Sequence, residues 1–244
     1  MTSNRALYRP TRYALRTGLF ALAALLFATG CQQLGCDQTQ QTRPTGEVPQ
    51  TAEARLEALV AQIPADTEVS ALISDTAAVR KTIQTARNKT GGKLPFLDSL
   101  EASVRKQTGV ELFSKKGWDE AGLAADGAAG LTSLSGRPII YVYTTNRKAF
   151  EKHFTTQAQT ELDISGKPSA TTVGDVQLKV MGDEKHKRVA WGYAGKLAVI
   201  TVPPNEGAVD KDTPTATNAL QSILTLKQED SLAQTTGFQK FRDA

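Results

Sequence analysis

The chain has 244 residues, 40% of them hydrophobic and 22% charged, with 29 basic side chains against 25 acidic ones. The basic excess lies in the first thirty residues, where Arg5, Arg9, Arg12 and Arg16 occur without an acidic residue; the remaining counts are 25 and 25. A remainder with no net charge carries none of the basic footprint that nucleic acid or an anionic membrane surface requires.

The first segment reads as a targeting signal. After the four arginines, Leu19 to Ala28 is an unbroken apolar run of ten residues. That is about half of the ~20 residues a spanning helix needs and fits the apolar centre of a signal peptide. Ala28-Thr29-Gly30 then lead into Cys31, and Cys36 follows behind Gly35. The segment resembles the lipobox of bacterial lipoprotein signal peptides, although Ala28 stands where such signals usually carry Leu. The resemblance implies removal of residues 1–30, with diacylglycerol on the Cys31 sulfur and an acyl chain on its amine. Several chains at ~0.8 kcal/mol per buried methylene give a stable anchor. The alternative is ordinary secretion, with cleavage near Ala28 or Gly30. With Cys31 lipidated, Cys36 has no intramolecular partner, so no disulfide framework is expected. Gln32, in place of the Asp that retains similar lipoproteins in the inner membrane, favours the outer membrane.

Residues 31–50 are rich in Gln and Thr and nearly free of large apolar side chains. Such a segment cannot offset its ordering entropy and reads as a tether. The folded part is expected over 51–244. Leu56, Leu59, Val60 and Ile63 recur at helical spacing before Pro64, and "DTEVSALIS" (66–74) reads as a strand. Asp75 is the expected N-cap of a helix through Val79, Ile83 and Ala86, closed by Gly91-Gly92. Leu97, Leu100 and Val104 mark another helix, stopped by Gly109.

"AAGLTSL" (128–134) and "RPIIYVYTT" (137–145) flank Ser135-Gly136 and read as a hairpin. A helix follows, with Phe150 and Phe154 at i,i+4 spacing. "VQLKVMG", "RVAWGYA" and "KLAVITV" predict an antiparallel meander, joined by "DEKHK" (183–187) and Ala194-Gly195. Leu197 to Val202 is apolar on both faces except Thr201, as for a central strand. Leu220, Ile223, Leu224 and Leu226 mark another helix. A last one is expected to start at Thr235 or Thr236 with Phe238 and Phe241. The fold class is therefore α+β, helices packed on a mainly antiparallel sheet.

Several stretches look like an uncharacterised family of bacterial envelope proteins. They are Ile63-Pro64-Ala65-Asp66-Thr67, Thr108 to Phe113, Trp118 to Leu123, and Ser231-Leu232-Ala233 ahead of Phe238. Similar proteins are typically longer, with a second related half, so the resemblance implies that this chain is a first half. It implies location and architecture but no chemistry.

No catalytic signature is present. His153, between Phe150 and Phe154, reads as the rim of an apolar stripe rather than a base. His186, beside Asp183 and Glu184, reads as a solvated turn rather than a metal site. "NKTGGK" (88–93) lacks phosphate-loop spacing, and "ADGAAG" (125–130) reads as a loop entering a strand. No cofactor or metal is expected. Tyr141, Tyr143 and Trp191 fall at strand positions where packing is the default. The expectation is a non-catalytic, lipid-anchored envelope protein with a structural or protein-interaction role. Its partners would be the membrane, through the lipid, and an envelope protein. The alternatives are a binding module for an apolar or glycan ligand and, behind it, a hydrolase.

Overall fold

The computed structural model describes residues 47–92, 95, 98, 99, 101, 102, 110, 111, 113–182, 188–204 and 212–242. The signal segment, Cys31, Cys36, most of the tether, Leu97, Leu100, Val104, Gly109 and His186 lie outside the described residues. Six α-helices are described: α1 (Ala52–Val60), α2 (Thr76–Lys89), α3 (Lys115–Glu120), α4 (Arg147–Glu161), α5 (Ala216–Leu224) and α6 (Thr236–Arg242). Seven strands accompany them: β1 (Glu68–Ile73), β2 (Ala129–Leu134), β3 (Arg137–Tyr143), β4 (Ser169–Val173), β5 (Val176–Met181), β6 (Val189–Ala194) and β7 (Leu197–Thr201).

The strands form one sheet in the order β1-β2-β3-β7-β6-β5-β4, with every neighbouring pair antiparallel. Two meanders, β1 to β3 and β4 to β7, thus meet where β3 pairs with β7. The α+β class expected from the sequence is the observed one. Ser135 and Gly136 join β2 to β3 with φ of 47° and 78°. Both central residues are left-handed, as the tight hairpin turn that matches strand twist requires. The β6–β7 turn is displaced by one residue from the expected Ala194-Gly195. Ala194 pairs with Leu197, so Gly195-Lys196 is the loop.

Both sheet faces are covered. The front face buries Ile139, Tyr141 and Tyr143 of β3, Leu197 and Val199 of β7 and Leu178 of β5. Against them lie Leu59 and Val60 from α1, Ile63 just beyond its end, and Ala219, Leu220 and Ile223 from α5. The back face buries Trp191 and Val189 of β6, Met181 of β5 and Ile200 of β7 against Phe150 and Ala158 of α4. All five residues of β7 are buried, Thr201 included, which accounts for its apolar run from Leu197 to Ile200. Each large side chain taken fully out of water contributes about 1.5–3 kcal/mol, so these two layers dominate the stability.

The helices begin where side chains can satisfy their free N–H groups. Thr51 accepts from Ala54, Asp75 from Ala77 and Ala78, Asn146 from Ala149, Thr215 from Asn218 and Thr235 from Phe238. Thr235 is thus the last helix's cap. α2 is the exception to the layering: Thr76 is its only fully buried residue. It is tied down by Arg87, which meets Asp98 and Glu101 at 2.8 Å each. Among the described residues no helix is long and apolar enough to cross a membrane.

Candidate functional site

The most heavily bonded polar group described is Arg55 in the first turn of α1. Its residue is only 6% exposed. It lies one helical turn before Leu59, so the helix face that packs on the sheet carries the guanidinium inward with it. Nη1 donates to the carbonyls of Pro49 at 3.4 Å and Gln50 at 3.0 Å, and Nε donates to the carbonyl of Ser74 at 3.3 Å. Nη2 meets Asp75 Oδ2 at 3.2 Å, while Oδ1 of the same carboxylate caps α2. A planar fork of fixed donors suits this task, because one side chain must serve several acceptors at once.

The result is a corner where the N-terminal arm, the end of β1 and the start of α2 are held together. Val48 adds an apolar contact to the front-face core. The arm is therefore engaged from Val48 onward, three residues before the expected domain start. Next to it, Thr76 Oγ1 donates to the carbonyls of Ala125 at 2.9 Å and Gly127 at 3.0 Å, fastening the loop that enters β2. Arg80 donates to the same Ala125 carbonyl, and its guanidinium lies 5.6 Å from the Trp118 ring centre. Burial lowers the Arg80 pKa, opposed by Asp126, Asp75 and Asp119.

A second polar cluster sits on the back face. Phe150 and Phe154 stack at 5.8 Å, and Phe154 meets Trp191 edge-on at 5.1 Å. Tyr193 packs edge-on to Phe150, donates to Glu151 Oε1 at 3.2 Å, and lies under Arg147 at 4.2 Å. Arg147 also donates to the Gly195 carbonyl. Burial and the adjacent Glu151 carboxylate push the Tyr193 pKa up. His153 is half-buried on the same helix. This cluster clamps α4 to the β6–β7 turn.

Tyr141, Tyr143 and Trp191 are 1% exposed or less, so they form no exposed aromatic stripe. Among the described residues the Tyr143 hydroxyl has no hydrogen-bond partner. Burial raises the pKa of both tyrosines. Arg137, fully buried at the start of β3, donates to the carbonyls of Pro214 at 2.8 Å and Val202 at 3.2 Å. Desolvation pulls its pKa down to about 10.

An open groove of about 380 Å³ runs along α2, lined by Lys81, Thr82, Thr85, Ala86 and Lys89. Among the described residues no group of three or more His, Cys, Asp or Glu side chains is placed to hold a metal. Arg55 was open to detection from sequence, since a cation at i−4 from Leu59 on an apolar face must find buried acceptors. Tyr193 with Arg147 and Glu151 was not, because the two elements are joined only by the fold. No family model, no curated protein and no solved structure matches this chain.

Proposed function

We propose that this chain is a lipid-anchored cell-envelope protein, acylated on Cys31 and non-catalytic, that presents its folded part to another envelope protein. The observation that carries the reading is the run of four arginines, ten apolar residues and Ala28-Thr29-Gly30 immediately before Cys31. The segments similar to bacterial envelope proteins support the same address, and Gln32 favours the outer membrane. The Arg55 corner supports a tethering role. The arm ends at a fixed point, Val48, seventeen residues after Cys31. A tether of that length, as the composition predicts, would have an r.m.s. reach of roughly 23 Å and a limit near 60 Å. The folded part would thus stay within about its own diameter of the lipid surface.

The test is metabolic labelling with a fatty-acid analogue in a bacterium that expresses the full chain. Wild type and Cys36→Ser should carry label, and Cys31→Ser should carry none. Label retained in Cys31→Ser, or lost in Cys36→Ser, would overturn the assignment.

A further inference from the structure

α2 is docked by polar contacts rather than by burial. Among the described residues none from α2 belongs to the three buried apolar clusters, and Thr76 alone is fully buried. Val79, Ile83 and Ala86, its apolar stripe, are only half-buried. Asp75 caps the helix, Thr76 N and Oγ1 bond the 125–127 loop, and Arg80 reaches the Ala125 carbonyl. Further along, Arg87 meets Asp98, Glu101 and the Phe113 ring. A helix held with so few buried apolar contacts belongs to the low-stability end of a fold, where local opening costs less than global unfolding.

One carboxylate joins the N-terminal arm to the first turn of this helix. Val48 seats on the front-face core, and the Pro49 and Gln50 carbonyls behind it accept from Arg55 Nη1. The same guanidinium meets Asp75 Oδ2, and Asp75 Oδ1 accepts from Ala77 and Ala78. With the arm in place Arg55 is 6% exposed, so its pair with Asp75 is partly shielded from water. With the arm lifted, water would reach the guanidinium, and a hydrated ion pair keeps only a small part of its strength. Asp75 would then cap α2 without the partner that orients it.

We infer that the arm is a latch for α2: the seating of Val48, Pro49 and Gln50 and the docking of the helix are coupled through Arg55 and Asp75. Such coupling is reciprocal, so loosening either end must loosen the other. α2 also carries the open groove lined by Lys81, Thr82, Thr85, Ala86 and Lys89, so the state of the arm sets where that surface stands. One consequence rests on the anchor reading: a pull along the tether loads Val48 first and reaches α2 before the sheet. The latch itself rests on these contacts alone and holds whether or not Cys31 carries lipid.

Hydrogen exchange read by mass spectrometry on the full chain in detergent tests the coupling. Val48→Ser weakens the seat at the front-face cluster, to which α2 contributes nothing among the described residues. It should speed exchange of the α2 amides over 80–89 about fivefold and leave those of β7 unchanged. Asp75→Asn keeps an acceptor for the cap but turns a donor toward Arg55, which breaks the link. In that background Val48→Ser should add less than about twofold over 80–89. In the reverse direction, Thr76→Val removes the hydroxyl bonds to the Ala125 and Gly127 carbonyls. It should speed cleavage after Glu47 by a glutamate-specific protease about threefold. Unchanged exchange over 80–89 in Val48→Ser, the same acceleration with and without Asp75→Asn, or equal acceleration in β7 would each overturn the latch. So would Thr76→Val cleaved at the wild-type rate. Protection of β7 reports the folding of every variant. None of these readouts involves the lipid, so their failure would leave the Cys31 assignment standing, and loss of that assignment would leave the latch standing.

Discussion

Replacing Arg55 by Ala should loosen the N-terminal corner and lower global stability together. Of the four contacts, the bond to Gln50 at 3.0 Å and the pair with Asp75 at 3.2 Å have the best distances. Hydrogen bonds to a charged group are worth about 1.5 kcal/mol or more each, and the two lost stem methylenes add about 1.5 kcal/mol. Release of the guanidinium's desolvation cost offsets part of this, leaving a loss of about 3 kcal/mol. Asp75 keeps its cap on α2 and its side chain is 29% exposed, so no buried charge is stranded. For a domain of this size the loss corresponds to a fall in Tm of roughly 6–12 °C. Thermal circular dichroism of the full chain measures it, and a glutamate-specific protease should cut after Glu47 faster in the variant. Arg55→Lys should fall between, since an ammonium keeps the Asp75 pair but not the fork to the carbonyls. A fall below about 2 °C with unchanged cleavage would refute the clamp.

Gly122→Ala should be among the most damaging single changes. Gly122 has φ +73°, and a Cβ there would stand 2.6 Å from Phe150 N and inside contact of the Asn146 carbonyl. Both are backbone atoms at the start of α4, so a loss of about 3 kcal/mol or more is expected in denaturant unfolding. Stability should also decline above pH 10. The folded state holds the Tyr141, Tyr143 and Tyr193 protons above the ordinary tyrosine value near 10. Beyond that pH the unfolded chain releases protons that the folded one retains, which favours unfolding by about 1.4 kcal/mol per unit per group. Arg137, lowered to about 10, works the other way, since its buried charge is relieved as pH rises. Three groups against one leave a net decline, and a urea midpoint constant between pH 9 and 11.5 would contradict it.

Much of the architecture was legible because it rests on local chemistry. β7 announced itself as an apolar run bounded by Pro203-Pro204, the hairpin by Ser135-Gly136, and α2 by the Asp75 cap. Phe150 and Phe154 stack as their spacing implied. Two elements were not anticipated. β4 is short and polar, and its side chains lack the alternation that a buried face imposes; pairing to β5 alone makes it a strand. α3 spans six residues around Gly117, a poor helix former; its place is set by Trp118 packing with Val110, Ala121 and Ala125. Of the polar corner, Asp75 was legible as a cap but not as an ion-pair partner. Arg55 reaches it across twenty positions, a separation that no local pattern records.

The seam between β3 and β7 sets an order on the chain's folding. β1 must wait for segment 74–128 before β2 can reach it and β3 for segment 144–196 before β7 can, whereas the other strand pairs join segments close in the chain. Loop closure on that scale is slow relative to hairpin formation. As the chain emerges from its N-terminus, β3 carries Ile139, Tyr141 and Tyr143 along an open edge until β7 arrives. That interval, rather than the finished molecule, is when the chain is most exposed to aggregation, and when a chaperone would have the most to protect.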